Sequence, residues 1–100
     1  MRINLKNHTG QNIDVVMRDL RYHAWGNAGE QKQFIRPLAT GGAYPRFHVY
    51  LRYNSQTKEI SLTLHFDQRQ TVYQGTTAHH GEYDGELVEK EAERIKQKLK

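Results

Sequence analysis

No cysteine occurs in this chain of 100 residues. That excludes a disulfide framework and a thiolate metal site, so any metal would rest on imidazole and carboxylate ligands. Long apolar runs are missing too. None approaches the roughly 20 residues that span a bilayer, and the opening Met1-Arg2-Ile3-Asn4-Leu5 has no signal-peptide core. The expectation is a cytoplasmic protein with no membrane partner. Serine is confined to Ser55 and Ser61, and neither sits in a Gly-x-Ser-x-Gly nucleophile elbow. A phosphate-binding loop is also absent. Gly81-Glu82-Tyr83-Asp84-Gly85-Glu86 lacks the required lysine, and its carboxylates would repel phosphate.

A strong excess of one charge is likewise lacking. Fifteen Lys/Arg stand against eleven Asp/Glu, a formal net charge of +4. The excess is spread along the chain and forms no basic tail. Such a balance is compatible with a polyanion partner without demanding one. The length suits one domain, residues 1–100, with a modest core. No internal repeat, low-complexity tract or linker divides it.

What is present is patterning. Residues 2–6 alternate apolar and polar, as a short half-buried strand does. Ile13, Val16, Met17 and Leu20 recur at helical spacing and predict a helix over about 12–22, capped by Asn12 or Thr9. The run Ala24–Gly29 reads as a loop, with Trp25 as a lid on the core. Residues 31–36 form a weak strand stopped by Pro37, and Ala39–Ala43 a loop around two adjacent glycines.

The clearest signal is a hairpin. Phe47, Val49, Leu51 and Tyr53 share one face of a strand over 46–53, and Ile60, Leu62, Leu64 and Phe66 share one face over 59–67. Joining them tightly through Asn54–Thr57 pairs Phe47 with Leu64, Val49 with Leu62 and Leu51 with Ile60, and sets Arg52 against Glu59. The same register places Arg46 opposite His65 and His48 opposite Thr63. A last helix over about 85–99 carries Leu87, Val88, Ala92, Ile95 and Leu99 as its apolar stripe, with Asp84 as its cap. The fold class that follows is α+β: an antiparallel sheet centred on the 46–53/59–67 hairpin, two helices on one face, and edge strands at 2–6 and 31–36.

Chemistry concentrates in two places. The polar side of the hairpin carries Tyr44, Arg46, His48, Tyr50, Arg52, Thr63, His65 and Asp67. Cations alternating with rings suit single-stranded nucleic acid, above all RNA: charges for phosphates, π-faces for bases. Arg46, His48, Tyr50 and Arg52 are the candidate contacts. The alternative is a histidine-dependent hydrolase, with or without a metal, centred on His65, Asp67 and His79. Its candidate catalytic residues are His65, His48 and Asp67, with the two imidazoles as general acid and base on a phosphodiester and an arginine stabilising the transition state.

The second concentration is 64–86, where His65, Asp67, His79, His80, Glu82 and Asp84 lie within some twenty residues. No cofactor is expected from this tract. A divalent transition metal could still be accommodated by His65 and Asp67, which point the same way on a strand, if the loop containing Gly75 and Gly81 returns His79 to them. No His-Glu-x-x-His spacing supports that set. An acidic helix start and loop-anchoring hydrogen bonds account for the same residues. A third class of function, a protein–protein module, would use the exposed Glu/Lys surface of the last helix.

The segments YPRFHVYL (44–51), LHFD (64–67) and HHGEYDGELVEKEAERIK (79–96) resemble a group of short uncharacterised bacterial proteins, over roughly the C-terminal sixty residues. The resemblance implies a small stand-alone protein and carries over no catalytic or binding residue.

Overall fold

In the computed structural model, residues 1–41, 44–68 and 80–100 are described, with the backbone course alone for 80–84. Seven elements follow in chain order: β1 (Arg2–Lys6), α1 (Ile13–Asp19), β2 (His23–Ala28), β3 (Gln31–Pro37), β4 (Arg46–Asn54), β5 (Glu59–Asp67) and α2 (His80–Leu99). The strands make one antiparallel sheet in the order β1-β5-β4-β3-β2. The class is α+β, with both helices against the same face.

Alternation decides which face that is. Ile3 of β1, Phe34 of β3, Phe47, Val49 and Leu51 of β4, and Ile60, Leu62 and Leu64 of β5 are buried together with Ile13, Val16, Met17 and Leu20 from α1 and its end. Val88, Ala92, Ile95 and Leu99 of α2 join the same cluster. Both apolar stripes read from the sequence are therefore the stripes that pack. Asn12 caps α1, its Oδ1 accepting the Asp14 amide at 2.7 Å. Because β1 and β2 lie at opposite edges, α1 carries the chain beneath the sheet from one edge to the other.

The hairpin register differs from expectation by two residues. Phe47 faces Phe66, Val49 faces Leu64, Leu51 faces Leu62, and Arg52 faces Ser61 instead of Glu59. The turn explains the shift. Asn54 pairs with Glu59 across a four-residue connection, in which Asn54 Oδ1 accepts the Gln56 and Thr57 amides and Lys58 takes a left-handed φ of 67°. A tight two-residue turn has no place for either device. A shift of two keeps every side chain on its own face, so the division into apolar and polar sides stands.

Five other expectations are corrected. The segment read as a loop at Ala24–Gly29 is mostly strand β2, paired to β3 with an irregularity between Ala24 and Asn27, where Gly26 has a φ of 100°. Consequently β3 is an interior strand, not an edge. Trp25 does not cover the core; it is 51% exposed, on the sheet side away from the helices. The last helix begins at His80, so Asp84 lies inside it and does not cap it. Helix α1 is also shorter than predicted, ending at Asp19, with Arg21 at a φ of 78° turning the chain toward β2.

Between α2 and the rest sits a buried polar clamp. Glu91, 4% exposed, accepts the Tyr22 hydroxyl at 2.7 Å, Arg36 at 3.3 Å and a two-pronged contact from Arg94. Arg94 also donates to the Leu20 carbonyl at 2.6 Å. One carboxylate thus ties α2 to β3 and to the end of α1. Burial is the main cause, and the Glu91 carboxylate the next, of a Tyr22 hydroxyl held far above the ordinary tyrosine range. No helix among the described residues is long and apolar enough to cross a membrane.

Candidate functional site

The sheet face away from both helices is a lattice of side chains in register. Across it run Lys6, Glu59 and Asn54; then Asn4, Ser61 and Arg52; then Arg2, Thr63, Tyr50 and Gln33; then His65, His48 and Ile35; then Asp67, Arg46 and Pro37. His48 is opposite His65 and Arg46 opposite Asp67, not His65 and Thr63 opposite Arg46 and His48 as the shorter turn would have it.

One end of this face is knotted together. Arg46 donates from Nε to Asp67 Oδ2 at 3.1 Å, and His48 Nδ1 lies 3.3 Å from the same oxygen. His48 Nε2 lies 2.8 Å from the Gln33 side-chain amide. The Arg46 guanidinium contacts two rings, 4.4 Å from the Tyr44 centroid and 5.3 Å from that of Trp25. Arg46, His48 and Ile35 are buried although they lie outside the helix-side core. Burial is the largest influence on His48 and holds its imidazole below the ordinary histidine pKa. Asp67 acts the other way, while Arg46 and His65 add to the lowering. Both ring nitrogens face acceptor oxygens, Asp67 Oδ2 and Gln33 Oε1, so the neutral ring, with its single N–H, donates to one of them and the protonated ring to both.

These contacts sort the sequence candidates. Arg46 and His48 are internal to the face: both nitrogens of His48 are engaged and Arg46 is spent on Asp67. Asp67 orients His48 and not His65, its neighbour two residues back. Tyr50 stacks on His48 at 4.5 Å and meets His65 edge-on at 5.7 Å. His65 is exposed, and Arg52 is exposed one step further along β4. His79 lies outside the described residues. Among the described residues no group of three or more His, Asp or Glu is placed to hold a metal ion.

The other end of the face is open. Ser61 and Thr63 on β5 are short, and taller side chains stand on both sides: Arg2, Asn4 and Lys6 on β1, Tyr50 and Arg52 on β4. The result is a trough along β5. Arg2, Lys6 and Arg52 engage in no ion pair or side-chain hydrogen bond among the described residues, whereas Lys32, Arg36, Arg46, Arg94, Lys96 and Lys98 all pair with carboxylates. At the hairpin end the trough deepens into a groove of about 610 Å³, lined by Asn4, Lys6, Glu30, Arg52, Glu59 and Ser61 among others. Sequence reading missed Arg2 and Lys6 because their role depends on β1 lying beside β5. It missed Gln33 because β3 was weakly signalled, and took Trp25 for a lid on the core because exposed β2 has no apolar alternation to mark it as strand.

Comparison with protein-family models, with curated proteins and with solved structures finds no match for this chain.

Proposed function

We propose that this protein binds single-stranded nucleic acid along the β5 trough on the sheet face opposite the helices. One observation carries the reading: Arg2 and Arg52, unpaired among the described residues, flank the short Thr63 and Ser61 side chains of a channel that also presents the Tyr50 ring, and Lys6, likewise unpaired there, stands at its hairpin end across from Glu59. Cations beside a half-exposed ring, one face of which rests on His48, supply both interactions a single strand offers, phosphate charge and base stacking. A duplex offers no free base face.

In this reading Tyr50 and Arg52 are contacts, joined by Arg2 and Lys6. Arg46 and His48 serve as positioning residues. They fix Asp67 and, through the His48 stack, the plane of Tyr50.

Fluorescence anisotropy with labelled single strands and the matching duplex tests the reading. Single strands bind, and log Kd changes with log salt with a slope of about 2, as roughly three phosphate contacts at ~0.7 each require. The Arg2→Ala/Arg52→Ala double variant loses most of that slope. Affinity unchanged between low and moderate salt, or unaltered by the double variant, overturns the proposal.

A further inference from the structure

The groove at the hairpin end has a lining that a simple phosphate track would not have. Lys6 and Arg52 stand in it beside two carboxylates, Glu30 and Glu59, over a floor that includes Asn4 and Ser61. The Glu59 carboxylate accepts the Thr57 hydroxyl at 3.2 Å through Oε1. No ion pair joins Glu30 or Glu59 to Lys6 or Arg52.

Carboxylates repel a phosphodiester and attract hydroxyl donors. A nucleic-acid backbone tracking the cations toward this end therefore meets, at Glu30 and Glu59, a place where another phosphate is unfavourable. The part of a strand that carries adjacent hydroxyls and no phosphate is the 3′ end of RNA, a ribose with a free 2′,3′-diol. Arg52 and Lys6 are placed to take the phosphate one step back, and Asn4 and Ser61 supply neutral donors and acceptors beside it.

We infer that the groove lined by Lys6, Arg52, Glu30 and Glu59 receives the 3′-terminal ribonucleoside of an RNA strand, its diol facing the two carboxylates. This rests on the trough being a single-strand site. It adds both a polarity, with the 3′ end at the hairpin turn, and a preference for RNA ends over DNA ends.

The test uses the full chain and three 5′-labelled oligonucleotides of one sequence, ending in a 2′,3′-diol, in a 2′-deoxynucleoside, or in a 3′-phosphate. The diol end binds about tenfold tighter than the 3′-phosphate end, the size of effect one charged hydrogen bond supports, with the deoxy end between them. In the Glu30→Gln/Glu59→Gln variant the order compresses from both sides: the diol arm weakens and the 3′-phosphate arm tightens. A merely structural loss would weaken all three alike. Equal affinity of the native protein for the three ends sinks the terminal site and leaves the trough standing. No binding of any strand at low salt removes both.

Discussion

Glu91 and Arg94, one helical turn apart on α2, meet in a two-pronged ion pair, Nε to one carboxylate oxygen and Nη2 to the other, each at 2.9 Å. The pair is asymmetric in burial. Glu91 is almost wholly enclosed, while Arg94 is over a third exposed. The guanidinium therefore stands as the solvent-side cover of a carboxylate that also serves Tyr22 and Arg36. Hydrogen bonding to Glu91 is the chief reason that Arg94 holds its proton more firmly than an ordinary arginine.

Breaking this clamp should loosen α2. Glu91→Gln leaves two arginines and a buried hydroxyl without their acceptor charge, and should cost about 2–4 kcal/mol in urea unfolding. Tyr22→Phe removes one hydrogen bond and should cost ~1–1.5 kcal/mol. A Glu91→Gln loss no larger than that of Tyr22→Phe would show the clamp to be decorative.

Tyr22 also predicts an alkaline limb. Its folded pKa is raised, so the folded state holds a proton that the unfolded chain releases above an ordinary tyrosine pKa of ~10. The stabilisation is complete below ~10 and is lost as pH rises beyond it. Absorbance titration should reveal one tyrosine that ionises only together with unfolding, and that tyrosine should be missing from Tyr22→Phe.

His48 predicts the opposite slope at the acid side. With its folded pKa lowered, the unfolded chain takes up the proton first, so stability is present above ~6.5 and declines as pH falls below it. Comparing urea midpoints between neutral pH and ~5 in the native protein and in His48→Gln isolates this group from the other histidines. A decline of the same size in the variant would assign the acid loss elsewhere.

At the trough, charge and stacking should separate. Tyr50→Ala should weaken single-strand binding by ~1–3 kcal/mol with the salt slope unchanged. Arg52→Ala should lower the slope by about one contact's worth. Anisotropy titrations at several salt concentrations read both, and a slope change in Tyr50→Ala would mean the variant has disturbed the sheet.

Core substitution gives the scale for these effects. Leu62, 1% exposed at the centre of the sheet, should lose ~2–5 kcal/mol on conversion to Ala. Denaturation of the variant at room temperature would be unsurprising in a domain of this size.

Periodicity carried most of the architecture. The stripe Ile13-Val16-Met17-Leu20 and the stripe Val88-Ala92-Ile95-Leu99 each need only local spacing to be recognised, and both are buried. The alternation in β4 and β5 likewise assigned their faces. Register was less legible, because parity cannot distinguish a pairing from one shifted by two, and the left-handed Lys58 leaves no mark in residue type. Strand β2 escaped because His23–Ala28 is exposed throughout and so has no apolar alternation. The site was half visible: Tyr50 and Arg52 could be placed on the polar face. The engagement of Arg46 and His48 with Asp67, and the approach of Arg2 and Lys6 from β1, depend on contacts between distant segments.

The strand order has a kinetic meaning. Strands β2 to β5 succeed one another as neighbours, so each pairing closes a short loop, whereas β1 reaches β5 only across more than fifty residues of intervening chain. Short loops close early and long ones late. The meander should therefore assemble first and the N-terminal strand dock onto it last. Two of the three free cations of the trough, Arg2 and Lys6, arrive with that strand, so the groove is finished only by the final pairing, and capture of a strand would report that the whole sheet is closed.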